Sequence, residues 1–76
     1  MKPYQQEKRY APPLLTEQIQ TERKTFFIDL KENDRGRFLK ITEDVSGNRD
    51  TIIVPIDAVP DFVSALSRML DAEATL

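Results

Sequence analysis

The fold is decided by residues 25–42, TFFIDLKENDRGRFLKIT, in which apolar and polar side chains alternate on both sides of a turn sequence. A period of two is typical of a β-strand with two different faces. The tetrapeptide at 33–36 favours a tight turn and ends on a glycine, which takes a positive φ without strain. We therefore predict a β-hairpin with strands at 24–32 and 37–42. The side chains expected on its core face are Phe26, Ile28, Leu30, Leu39 and Ile41.

Two further strands flank this hairpin. Residues 14–21 have a short, mixed apolar pattern that predicts a first strand. Residues 51–56 are rich in β-branched side chains and follow a second turn sequence at 46–48. Within this last strand Ile53 takes the face opposite to its apolar neighbours, and Pro55 indicates the end of the strand or an edge position.

The C-terminal segment predicts an amphipathic helix that begins after Asp57, a plausible N-cap, with Pro60 in its first turn. The predicted fold class is therefore α+β: a four-stranded antiparallel sheet followed by one C-terminal helix, with the helix over one face. A chain of 76 residues buries little apolar surface, so oligomerisation is the expected source of extra stability. The helical residues expected in a core or dimer contact are Val59, Phe62, Val63, Leu66, Met69 and Leu70.

Composition excludes several function classes. The chain has no cysteine and no histidine, so it lacks disulfides, thiolate metal sites and the usual general base. Its carboxylates are scattered, so an enzyme is the least favoured class, and neither a metal nor another cofactor is expected. No long apolar run predicts a membrane segment, and we expect a cytoplasmic protein, nucleoid-associated if bacterial.

Charge is divided unevenly along the chain. The net charge is −2, which is unusual for a nucleic-acid-binding protein. Residues 1–40 carry nine basic and six acidic side chains, a net of +3, whereas residues 41–76 carry two and seven, a net of −5. The partners therefore depend on whether folding gathers the basic residues on one face.

The second face of the hairpin suits a ligand that has both rings and phosphates. Single-strand binders combine aromatic side chains, on which bases stack, with cations that follow the backbone. The turn adds polar and basic groups for phosphates and for the base edges that are exposed in unpaired strands. The candidate nucleic-acid-binding residues are Phe27, Lys31, Asn33, Arg35, Arg37, Phe38 and Lys40.

Residues 26–41 contain an aromatic pair, an aspartate, Lys-x-Asn-x-Arg and then Gly-Arg-Phe-Leu-Lys. This order of residues resembles the signature hairpin of the PUR (purine-rich element binding) repeat. Phe62 matches the phenylalanine of the family's helix. The resemblance implies a Whirly-like ββββα repeat that intertwines with a second copy, so a homodimer is expected from a single repeat. It also implies binding of purine-rich single-stranded DNA or RNA through Lys31, Asn33, Arg35 and Phe38, in transcriptional or RNA regulation.

Three points stay open at the level of sequence. Phe27 is either a stacking platform or a core residue covered by a partner or by the N-terminal arm. The same face also suits a protein-protein interaction module that binds no nucleic acid. The expected organisation is a flexible basic arm at 1–13, one PUR repeat at 14–72 and a tail at 73–76; the arm is a second candidate contact with nucleic acid.

Overall fold

The computed structural model describes residues 12–76, which form one antiparallel sheet followed by a helix. The strands pair in the order β1-β2-β3-β4, so each strand lies beside its neighbour in sequence. A short 3-10 turn, Ile56–Ala58, leads into helix α1, Val59–Glu73. The predicted ββββα order is confirmed. The strands are β1 (Leu15–Gln20), β2 (Thr25–Asn33), β3 (Gly36–Val45) and β4 (Asn48–Pro55).

Both hairpin turns rely on positive φ values. Gly36, with φ of +130°, closes the β2–β3 hairpin as the partner of Asn33. Between β3 and β4, Ser46 and Gly47 have φ of +53° and +89°, as a type I′ turn requires. The Asp44 carboxylate accepts a hydrogen bond from the Gly47 N–H at 3.0 Å and holds this turn. The pairing therefore continues to the turn, and β4 begins three residues earlier than predicted.

The strand registers separate the side chains into an apolar and a polar face. Ile28 lies opposite Ile41, which lies opposite Ile52, and every directly opposed set points to the same side of the sheet. The apolar face matches the predicted one and is only partly covered within the chain: Leu15, Ile19 and Ile52 are 50–60% exposed, and among the described residues Val54 (3%) is its one buried member. The apolar face consists of Leu15, Ile19, Phe26, Ile28, Leu30, Leu39, Ile41, Ile52 and Val54.

The prediction that the helix covers the sheet is wrong for a single chain. Helix α1 packs mainly against the 3-10 turn before it and forms no extended contact with the strands. The radius of gyration is 15.3 Å, whereas a compact chain of this length has about 11 Å. The helix therefore extends from the end of β4 and leaves its own apolar side exposed, with Leu66 62% and Met69 71% accessible.

The start of the helix also differs from the prediction. Asp57 is not the N-cap; it lies in the 3-10 turn, and Ala58 takes the N-cap position with no side-chain hydrogen bond. Ala58 already has helical angles, φ −87° and ψ −12°, whereas a side-chain cap requires an extended residue. Pro60 lies in the first turn as predicted. The helix ends at Glu73, one residue inside the segment 73–76 that was predicted as a tail.

Candidate nucleic-acid interface

The polar face of the sheet brings most of the predicted site residues together. Lys31 lies directly opposite Phe38, and Phe27 lies opposite Thr42. Opposed residues of an antiparallel pair have Cβ atoms about 4.5–5.5 Å apart, so each aromatic ring has a polar or charged neighbour on the same side. Lys40 lies one step further along the same face. The face therefore alternates rings with cations and hydroxyls, as the sequence predicts.

The β2–β3 turn is fixed by the side chain of Asn33. Its Oδ1 accepts a hydrogen bond from the Arg35 backbone N–H at 2.9 Å. This bond leaves the Asn33 amino group and the Arg35 guanidinium, both exposed, as hydrogen-bond donors at the end of the polar face. The turn thus holds two donor groups next to the Phe38 ring.

Arg37 lies on the other side of the hairpin. It is directly opposite Glu32, and its Nε lies 3.4 Å from the Glu32 carboxylate. Both side chains belong by register to the apolar face, one residue out of phase with Phe38. By register the Arg37 side chain does not share the face of Phe27, Phe38 and the lysines, although Arg37 borders the hollow next to Phe38, and its part in binding stays a prediction.

The far end of the polar face is capped by Arg49, which the sequence interpretation missed. The guanidinium carbon lies 5.5 Å from the Phe27 ring centroid, within the range of a cation–π contact. The Asp44 carboxylate accepts from Arg49 Nε at 2.8 Å and orients the group. Phe27 is half-buried with a cation on its ring, and neither the helix nor a described part of the arm covers it. The sequence signal for Arg49 is the Ser46-Gly47 pair. A two-residue turn there places the start of β4 at Asn48, so Arg49 belongs to the strand.

Two hydroxyls occupy the middle of this face. Thr42 and Thr51 lie directly opposite each other, and their Oγ1 atoms are 3.3 Å apart in a hydrogen bond. Thr42 is the buried polar residue of the face and lies between Phe27 and Thr51 in the cross-strand row. The two hydroxyls therefore form a fixed polar floor beside the Phe27 ring.

The charges of the polar face differ from the net charge of the chain. By register Lys31, Lys40 and Arg49 supply three cations, against the carboxylates of Asp29 and Asp44, and the turn adds Arg35 together with Asp34. Both carboxylates are hydrogen-bonded within the sheet: Asp29 accepts from the Thr16 hydroxyl at 2.8 Å, and Asp44 accepts from Arg49. Three further acidic side chains lie on helix α1, which forms no extended contact with the sheet; they are Asp61, Asp71 and Glu73.

Two other kinds of site are absent among the described residues. Among residues 12–76 there is no group of three or more histidine, cysteine, aspartate or glutamate side chains that could hold a metal ion. In the same part of the chain, no helix is long and apolar enough to span a membrane. An exposed sheet face with two rings, lysines and amide donors defines the class of single-strand nucleic-acid-binding sheets.

Comparison with known proteins identifies the family. The family model described as "PurA ssDNA and RNA-binding protein" matches residues 4–76, nearly the whole chain. This chain therefore belongs to the PurA family, and the sequence resemblance to PUR repeats is confirmed. The description of that family names binding of single-stranded DNA and of RNA.

Curated proteins with related names match most of this chain. The chain is 43% identical over 60 residues to "Transcription factor Pur-alpha 1" of Arabidopsis thaliana, covering 79% of this chain and 20% of the relative. It is 40% identical over 63 residues to "Transcriptional activator plp-1" of Caenorhabditis elegans, covering 83% and 28%. It is 36% identical over 65 residues to human "Transcriptional activator protein Pur-alpha", covering 76% and 20%. The chain thus spans about a fifth to just over a quarter of the length of these relatives.

Proposed function

We propose that this chain acts without catalysis, as a homodimer that holds single-stranded DNA or RNA on the polar face of each sheet and takes part in transcriptional or RNA regulation. The observation that supports it best is the cross-strand pair of Lys31 and Phe38, which sets a stacking ring beside a phosphate-binding cation on an open face. A cytoplasmic location, nucleoid-associated if the source is bacterial, belongs to the same proposal.

Each residue of the face has a chemical role in this proposal. Phe38 stacks on one base, and Phe27 supports a second contact through its ring and the guanidinium of Arg49. Lys31 and Lys40 contact phosphates on either side of Phe38. This arrangement requires bases that are not paired, because a duplex hides their faces.

The turn supports a preference for purines. Asn33 accepts the Arg35 N–H through Oδ1, so it presents its Nδ2 amino group, and the Arg35 guanidinium also only donates. A pair of donors matches the N7 and O6 acceptors of guanine, whereas adenine offers one acceptor and one donor at the same edge. Guanine-containing, purine-rich strands are therefore the expected ligands.

The homodimer is supported by two apolar surfaces that the single chain leaves uncovered. One is the apolar face of the sheet, and the other is the exposed side of helix α1. An exposed sheet face and an exposed helix stripe of this size seldom occur in a stable monomer. If the helix of each chain lies on the sheet of the other, both surfaces are buried by one two-fold interface and the polar faces stay open.

The proposal is tested by fluorescence polarisation with purine-rich single-stranded DNA and RNA and a duplex control. Phe38→Ala should weaken single-strand binding by about 1–3 kcal/mol while the dimer stays intact, because it removes one stacking ring. Arg35→Ala should weaken binding more than Arg37→Ala, since the Arg37 side chain is paired with Glu32 on the apolar face, whereas Arg35 is exposed at the turn. Parent protein that binds no single strand at low salt would refute the proposal and leave the face for a protein partner.

A further inference from the structure

The end of the polar face contains an open hollow of about 490 Å³. A volume of this size lies within the ~300–1,000 Å³ range of small-molecule sites. Two strands and the turn contribute to it, so it is a feature of the hairpin packed on β4 and not of the hairpin alone. It is lined by Arg37, Phe38, Ile53 and Pro55 on β3 and β4 and by Asn33, Arg35 and Gly36 at the turn.

The β4 side of the hollow is apolar on an otherwise polar face. Ile53 is 57% exposed and lies opposite Lys40, diagonal to Phe38. Pro55 lies directly opposite Phe38 and is the last residue of β4. Proline has a fixed φ, here −58°, so its ring forms a rigid wall. The three side chains therefore make a continuous apolar surface that no described part of the chain covers.

We propose that Ile53 and Pro55 complete, with Phe38, a pocket for one unstacked base of the bound strand. This inference rests on the proposed function and adds β4 to a site otherwise built from β2, β3 and their turn. The base would lie with one face on Phe38 and with its outer edge or sugar against Ile53 and Pro55. Its hydrogen-bonding edge would then meet the donors of Asn33 and Arg35.

Charge and shape favour a nucleic-acid base as the occupant. Arg35 and Arg37 border the apolar floor, and Lys31 and Lys40 lie on the strands beside it, which complements a ring attached to an anionic backbone. A Cβ atom added to Gly36 would have no other atom within 4 Å. The turn therefore leaves the mouth of the pocket open. A strand that crosses the face can therefore insert one base without moving the hairpin.

The chain offers a matched pair of variants for the test. Ile53 and Ile52 are the same residue on the same strand, 57% and 54% exposed, but they lie on opposite faces. Ile53→Ala should weaken polarisation-monitored binding of a purine-rich single strand by about threefold to tenfold, because two or three apolar groups lose contact with the base. Ile52→Ala, assayed above its dimer dissociation constant, should bind like the parent and lower the melting temperature instead.

An abasic scan of the oligonucleotide shows whether the contact is to one base. At the position that enters the pocket, removal of the base should weaken parent binding and abolish the difference between parent and Ile53→Ala. Ile53→Thr keeps the β-branched shape of the strand and replaces Ile53→Ala if that variant melts early. If the parent binds but both Ile53 variants match its affinity, the inference is overturned and the proposed function stands. If the parent does not bind, both fall.

Discussion

Leu66→Ala gives the most direct measure of how the apolar surfaces are used. Leu66 is 62% exposed on helix α1, so a single chain loses little when the side chain is truncated. If a partner covers the helix, the substitution deletes about three apolar groups at ~0.8 kcal/mol each. Scaling by the exposed fraction gives about 1.5 kcal/mol per helix, and a two-fold dimer contains the change twice. The dimer should therefore weaken by about 3 kcal/mol, or roughly 150-fold in dissociation constant.

Sedimentation velocity over a dilution series measures this dissociation constant for the parent and the variant. Ser64→Ala is the control, because Ser64 lies on the same helix as Leu66 but on its opposite side. Thermal melts at several protein concentrations provide a second readout, since the stability of an obligate dimer depends on concentration. A parent that remains monomeric at micromolar concentration, or a variant with the same dissociation constant, would refute the helix-mediated dimer.

Three further predictions concern the polar face and its turn. Arg35→Ala should reduce the slope of log affinity against log salt by about 0.7 per chain for a single strand, whereas an unchanged slope would show that Arg35 contacts no phosphate. Thr42→Val should lower the free energy of unfolding by about 1 kcal/mol in denaturant titration, because it leaves the Thr51 hydroxyl without its partner; equal stability would contradict this. Gly36→Ala should cost about 1–3 kcal/mol through its φ of +130°, and a melt like that of the parent would argue against this backbone conformation.

The hairpin was predictable because two local signals agree. Its period of two assigns each side chain of residues 25–42 to a face, and the turn at 33–36 fixes the register that brings Phe38 opposite Lys31. Once that register is set, most of the candidate site follows. The strand β4 was shortened in the sequence interpretation because Arg49 and Asp50 are polar, although the type I′ turn at Ser46 and Gly47 requires pairing from Asn48.

The position of the helix was not predictable from its own pattern. An apolar stripe from Phe62 to Leu70 shows that one side of α1 needs a cover, but the stripe is the same whether its own sheet or a second copy supplies it. The deciding feature is the link to β4. The 3-10 turn Ile56–Ala58 joins strand to helix and directs α1 away from its own sheet. The missing Asp57 cap has the same cause, since the chain enters α1 through helical angles.

The separation of charge in this fold explains how a chain with a net charge of −2 fits a nucleic-acid ligand. Among the described residues the polar face of the sheet has three cations and two carboxylates, and the turn adds Arg35 and Asp34. Arg49 shares its charge with Asp44, so Lys31, Lys40 and Arg35 are the cations left for phosphates, about three per chain. For single strands this predicts a salt slope of about −2 per chain, which is modest. Electrostatic attraction alone would therefore give weak binding, and affinity must come from the rings and the apolar wall of the pocket. Because stacking is short-ranged and requires unpaired bases, this balance favours single strands over duplex more strongly than a highly basic face would.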